Sequence, residues 1–409
     1  MLRPRLRPVE TIVVPDPRHG KVIVLRDTQG VAKGHAVIPP QLVPMVARMN
    51  GRLTCAQIAK EASRELGGEV PVDAVERLVE QLDEGLFLEG ETFERALDAV
   101  RAEFVGLPAR PASHAGGAYP GERAELAEYI NRSCFDAAGP RKKREGRVRA
   151  LVSPHIDPWR GAVGYGHAYG ALAASLAKDE SADTFVLLGT SHAPMREPFA
   201  LCSKGYDTPL GEMPVDEAFL AELAAASDFD PYADELNHKR EHSIEFQAVF
   251  LRHVLGGRAA RIVPILAGLG EEQSSGKAPR TTAAVARFLD ALRSGIEKRN
   301  GRVVIVAGAD MAHVGPRFGD ATPHDGKKRL ALEKTDRASL ELATSVDAPA
   351  FWEHVAADLD QRRVCGLAPI FSLVDVLPSA ARGELLHYEQ NVDPDDGSIV
   401  SHAAVAFYD

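Results

Sequence analysis

Val303-Val304-Ile305-Val306-Ala307-Gly308-Ala309-Asp310-Met311-Ala312-His313 is an apolar run that ends in small residues, an acid and a histidine. A short, continuous apolar run rich in β-branched residues reads as a buried strand of a parallel sheet. Two other runs end in the same way. Val148–Val152 runs out at Ser153-Pro154-His155-Ile156-Asp157, and Thr184–Leu188 runs out at Gly189-Thr190-Ser191-His192. Each strand releases a histidine or an aspartate at its carboxyl end, where open α/β sheets bind ligands. One such histidine is ordinary; three together point to a functional cluster.

Further strand candidates are Phe199–Cys202, Arg261–Leu266, Leu385–Tyr388 and Ala403–Phe407. Helical patterns lie between them at Gly166–Leu176, Glu217–Ala225, Ser243–Val254, Ala283–Glu297, Gly326–Leu342 and Leu367–Leu377. This alternation predicts one large α/β domain with a mostly parallel sheet. Two more segments can join its crevice. In Glu241-His242-Ser243-Ile244-Glu245 the two acids share a helix face, although acids also suit any helix start. Cys365 precedes the helix Leu367–Leu377, where a thiol has a lowered pKa and is a better metal ligand or nucleophile. An inert buried thiol is the alternative for Cys365.

The first 95 residues read as a separate unit. Short strands at Lys21–Leu25 and His35–Ile38 precede a helix after Pro40, a helix behind the capping box Thr54-Cys55-Ala56-Gln57, and a third from Pro71 and Asp73. Gly85-Leu86-Phe87-Leu88 follows as a wing, giving a small winged-helix-like domain at 1–95. A Gly- and Pro-bearing connection at 96–112 leads to the α/β domain at 113–409. Residues 41–90 carry five Lys/Arg against nine Asp/Glu, a surface that repels phosphate.

The whole chain of 409 residues has 48 Lys+Arg and 58 Asp+Glu, a net charge of −10, which argues against a nucleic-acid partner. No apolar run approaches bilayer-spanning length, and no signal-peptide core follows the basic start, so no membrane partner and a cytoplasmic location are expected. Four scattered cysteines (Cys55, Cys134, Cys202, Cys365) form no CxxC pair. Nucleotide-binding glycine motifs, a nucleophile elbow and HExxH are absent from the sequence. What is left is a His/His/thiolate set, which leaves open positions on iron, copper or zinc.

The motifs resemble those of the MEMO family, whose bacterial members are called AmmeMemoRadiSam system protein B. Ser113-His114-Ala115-Gly116-Gly117-Ala118-Tyr119-Pro120-Gly121 is similar to "HAGSWYPG", and Ser153-Pro154-His155 with Gly161 to "PHAGYxYSG". Leu187–His192 resembles "LGPSHH", Glu241–Gln247 matches "EHSIEFQ", Gly308–Gly315 resembles "SSDFSHYG", and Val364-Cys365-Gly366 the "CG" segment. The resemblance implies a fold akin to the class III extradiol dioxygenases. It implies His155, His192 and Cys365 as metal ligands, with Asp310, His313 and His242 lining the pocket as acid/base and orienting groups. Asp157, Glu241, Glu245 and Ser191 are further pocket candidates, and Asp157 is a competing ligand.

Where the family pattern has a second histidine and a tryptophan, this chain has Ala193 and Ala118. The function implied is a non-haem iron- or copper-dependent, dioxygenase-like oxidoreductase, with zinc as a third metal candidate. It would act with a radical SAM protein and an AMMECR-type partner. The alternative is a non-catalytic module that binds peptide or handles metal. The stretch from Met49 to Glu89 is similar to PqqD-like domains, which implies a peptide ligand.

Overall fold

The computed structural model describes residues 2–32, 34–140, 146–178 and 181–409. The chain divides into two units, Met1–Leu107 and Pro108–Asp409.

In the first unit, β1 (Glu10–Asp16), β2 (Gly20–Arg26) and β3 (His35–Ile38) form an antiparallel meander. Helices α1 (Val43–Val46), α2 (Cys55–Leu66), α3 (Val72–Glu84) and α4 (Glu91–Gly106) follow. The capping box is formed: Gln57 N–H donates to Thr54 Oγ1, and Thr54 N–H donates to Gln57 Oε1. Ile58, Ala62, Val75, Leu78, Val79 and Leu82 pack into one core with Leu25, Ile38 and Phe87. Three expectations change here. The helix after Pro40 is a single turn, and residues 96–106 belong to α4. The expected wing is an isolated bridge between Leu6 and Leu88, because Leu86 takes φ 65° and breaks the extended run.

The second unit begins with β4 (Ala109–Arg110), α5 (Arg123–Tyr129) and a π-helical stretch at Ile130–Asp136. It continues through β5 (Val148–Ser153), α6 (Pro158–Leu176), β6 (Thr184–Thr190), β7 (Phe199–Leu201) and β8 (Gly205–Tyr206). Next come α7 (Glu217–Ala226), α8 (His242–Leu255), β9 (Arg261–Ala267), α9 (Gly270–Ser275) and α10 (Ala283–Lys298). The last elements are β10 (Val303–Gly308), β11 (Asp310–Val314), α11 (Gly326–Thr344), α12 (Ala348–Ala356), α13 (Leu367–Val376), β12 (Arg382–Val392) and β13 (Ile399–Tyr408).

An 8-stranded sheet in the order β11-β13-β5-β10-β6-β9-β7 organises this unit, with β12 on β13 as well. β5, β10, β6 and β9 pair in parallel. β13 runs against β5, and β11 and β12 run against β13, so both point the same way as the parallel set. β4 pairs with β8 apart from this sheet. Among the described residues, no helix is long and apolar enough to cross a membrane.

Register levels the strand ends that matter. Gly308 lies opposite Ser153 on one side and Gly189 on the other. The first turn of α8 crosses directly over them. A Cβ on Gly308 would sit 2.1 Å from the Ser243 carbonyl, and one on Gly189 would sit 2.6 Å from Ser243 Oγ. Only hydrogen at these positions lets α8 come so close.

A buried ion pair fixes that turn. Arg110 and Glu245, both wholly buried, are salt-bridged. Arg110 also donates to the carbonyls of His238 and Glu241, each at 2.9 Å. Ser113 Oγ, the His114 N–H, His114 Nδ1 and Tyr119 OH meet the other lone pairs of Glu245. Burial alone would raise the Glu245 carboxyl, but the Arg110 charge and the His114 contacts outweigh it and hold the group well below its ordinary 4.5.

Gly308→Ala should therefore destabilise the second unit by about 1–3 kcal/mol through overpacking. Gly257→Ala, in open space, should change the melting temperature little. Arg110→Ala leaves a buried carboxylate unpaired and should cost about 3–5 kcal/mol in urea unfolding. Because the folded Glu245 pKa is depressed, its stabilisation is present above about pH 4.5 and is lost as pH falls below it. Glu245→Gln should flatten that part of the pH–stability curve.

Candidate metal centre

The level ends of β5, β6 and β10 bring His155, His192 and Asp310 into one crevice. Thr190 Oγ1 donates to the Cys365 carbonyl at 2.9 Å, and the Gly366 N–H donates to the Asp310 carbonyl at 3.0 Å. A Cβ at Gly366 would lie 2.3 Å from that same carbonyl, so glycine is what admits Cys365 to the crevice. One ligand atom each from His155, His192 and Cys365 lie within 4.8 Å of one another.

Hydrogen bonding fixes which ring nitrogens point inward. His155 Nδ1 lies 3.0 Å from the Gly308 carbonyl, which only accepts, so the proton is on Nδ1. The lone pair is then on Nε2, which faces Cys365 Sγ at 3.2 Å. Glu241 does for His192 what the carbonyl does for His155. Its carboxylate lies 3.0 and 3.1 Å from His192 Nδ1 and accepts the His192 backbone N–H at 2.9 Å. Such outer partners set the tautomer and orientation of a metal-ligating imidazole. His155 is 2% exposed, whereas the His192 side chain keeps 33% of its surface in solvent.

Asp310 is buried and accepts the His155 N–H at 2.9 Å, with its second oxygen 3.7 Å from His155 Nε2. Burial would raise this carboxyl, but the facing His155, His402 and His313 rings and the His155 N–H hold it below its ordinary value. His242 stacks on His192 at 4.6 Å and stands edge-on to His155 at 5.3 Å. Burial, reinforced by His192, pushes His242 well below the ordinary imidazole value. Burial likewise brings His313 down to about 4, and its Nδ1 has no hydrogen-bond partner among the described residues. Neither ring is then poised near neutrality; both are neutral acceptors there.

Other expected site residues have different roles. Asp157 caps α6 by accepting the Arg160 N–H and pairs with Arg160 Nε at 2.5 Å, and it is in neither group of converging donors. Ser191 Oγ donates to the Ala193 carbonyl at 2.7 Å and so shapes the loop. Glu245 anchors the 110–119 segment. The helix start does not lower the Cys365 thiol. Burial and the charges of Asp310 and Glu241 push it well above its ordinary 9.0, so Cys365 is a protonated thiol that donates to His155 Nε2.

Two contributors were missed by sequence reasoning. Arg110 lies in the expected linker, flanked by Pro108 and Pro111, and its only signal is a lone charge in an otherwise uncharged run. His402 is wholly buried between its cross-strand neighbours Asp310 and Glu389, and neither ring nitrogen has a hydrogen-bond partner among the described residues. A cavity of about 870 Å³ opens at the amino ends of the strands, lined by Thr184, Arg261 and Arg302, and holds none of these residues.

The model of the family described as Memo-like protein matches residues 110–406. The chain is 27% identical to a MEMO1 family protein of Aquifex aeolicus over 392 residues, 95% of this chain and 97% of that one. It is 30% identical to a MEMO1 family protein of Methanosarcina barkeri over 295 residues, 71% of this chain and 97% of that one. It is also 30% identical to a Caenorhabditis elegans protein named memo-1 homolog, over 66% of this chain and 71% of that one. The Aquifex alignment takes in most of the N-terminal unit as well. The chain belongs to the Memo-like family.

Proposed function

We propose that this chain is a metal-dependent, dioxygenase-like oxidoreductase that holds iron or copper through His155, His192 and Cys365. The observation that supports this most is the convergence of two imidazoles and a thiol whose other polar atoms are already engaged. Two nitrogens and a sulfur suit a transition ion and not calcium or magnesium. When bound, the ion supplies a redox centre with open positions for a substrate or oxygen.

The chain's own residues do the rest. The Gly308 carbonyl and Glu241 keep the Nδ1 protons of His155 and His192 in place, so each Nε2 is a donor. Cys365 would release its thiol proton to solvent on coordinating an ion, against the burial that otherwise keeps it protonated. His313, held neutral by burial, is the proposed hydrogen-bonding group beside a bound substrate, its own Nδ1 being buried and without a partner among the described residues. Asp310 fixes the His155 backbone. The N-terminal unit is proposed as a PqqD-like, winged-helix-related module that docks a peptide. Its separate core and acidic α2–α3 surface support this reading. A radical SAM protein and an AMMECR-type protein are the proposed partners, and the cytoplasm the proposed compartment.

Cys365→Ser should weaken iron or copper binding at least about tenfold, ~1.4 kcal/mol, since a hydroxyl is a poor soft-metal ligand. Cys365→Asp should keep part of the iron affinity. Unchanged affinity in Cys365→Ser would remove the cysteine from the site. Iron-loaded full chain should turn over candidate catechols or peptides aerobically, and His155→Ala should not. Equal rates in the two proteins would contradict an enzymatic centre here, and saturable peptide or metal binding without product would favour the non-catalytic alternative.

A further inference from the structure

A second donor set shares His192. The ligand atoms of His192, Glu241 and His242 also lie within 4.8 Å of one another. His192 Nδ1 is 3.0 Å from Glu241 Oε1, and His242 Nδ1 is 3.4 Å from the same oxygen. Neighbouring ligands on a tetrahedral ion with bonds of about 2.0–2.1 Å are about 3.3 Å apart, so these are ligation spacings as well as hydrogen-bond spacings.

The carboxylate is built to be held still. Of its roughly four lone-pair directions, two are used by the backbone N–H groups of His192 and Ser243, each at 2.9 Å. The other two face the imidazoles. The Nδ1 distances to Glu241 show that both rings turn that edge toward the carboxylate.

Charge points the same way. Glu241 and Asp310 are 4% and 1% exposed, and neither has an ion pair with Lys or Arg among the described residues. Two buried carboxylates without a fixed cation are costly unless something balances them. A Cys365 thiolate would add a third negative charge. One divalent ion at His155, His192 and Cys365 then leaves an excess of negative charge, and a second cation removes it.

We propose that His192, Glu241 and His242 form a second cation position, for a borderline divalent ion such as zinc, and that His192 bridges the two ions as imidazolate. The two-imidazole, one-carboxylate set is harder than the two-imidazole, one-thiolate set beside it, so the positions differ in preference. His192 gives its Nδ1 proton to solvent as the second ion binds, and Nε2 remains for the first. Without the second ion, Glu241 keeps the Nδ1 proton as described above. The bridge, though not the second position, rests on the centre proposed above.

The test uses the metal-free full chain, titrated with zinc and separately with cobalt(II). Bound ion per chain and the thiolate-to-cobalt charge-transfer band are read, and melting curves check folding. Wild type should bind about two ions and show the band. His242→Ala and His242→Gln should each bind about one ion and keep the band, whereas Cys365→Ser should lose the band and keep about one ion. One ion with the band, unchanged in both His242 variants, would overturn the second position and leave the first centre standing. One ion without the band, lost in both His242 variants, would support the second position and overturn the first centre and the bridge. No binding of either ion would overturn both.

Discussion

Two carboxylates one turn apart at the start of α8 demand partners, and the partners they recruit are the walls of the site. Glu245 is wholly buried and takes Arg110, Ser113, His114 and Tyr119 from a segment more than a hundred residues away in sequence. Glu241 caps the helix through the Ser243 N–H and draws in His192 from the end of β6. The approach of α8 that puts both acids there is possible because Gly308 and Gly189 have no side chain in the way. Sheet register, glycine placement and buried charge are thus one device, and the donor geometry follows from it.

The proton inventory of the pocket follows from burial. His155 is pushed down by desolvation against the pull of Asp310, His242 and His313 are pushed down too, and the Cys365 thiol is pushed up. Each shift disfavours the charged form, as low dielectric requires. Only the carboxylates resist: Glu241 accepts the His192 and Ser243 N–H groups, Asp310 accepts the His155 N–H, and both face imidazoles. The pocket is therefore neutral at His155, His242, His313 and Cys365 and negative at the Glu241 and Asp310 carboxylates. A cation entering it meets lone pairs that need no deprotonation at His155 and one sulfur that does.

Much of the α/β unit was legible because burial on both faces leaves unmistakable apolar runs at 148–152, 184–188 and 303–307. Their polar exits at His155, His192 and Asp310 were legible for the same reason: a polar residue directly after such a run stands out. β11 was not, since Asp310-Met311-Ala312-His313-Val314 is short and its pairing with β13 is a tertiary fact. β1 was missed because its residues alternate only between partial burial and exposure, so no core stripe marks it. The thiol of Cys365 was misjudged from its place before a helix. The acids that raise it come from β11 and from the start of α8, which sequence spacing does not bring together. Arg110 was hidden by its prolines: nothing local tells a linker arginine from one that will be wholly buried.

The proposed centre stands on the sulfur. X-ray absorption at the metal edge of full chain loaded with iron or copper reports the donor atoms directly, whatever the substrate. One sulfur scatterer at a thiolate distance of about 2.3 Å, together with imidazole scattering and lost in Cys365→Ser, is the result predicted. A centre with nitrogen and oxygen donors alone, identical in wild type and Cys365→Ser, would contradict it.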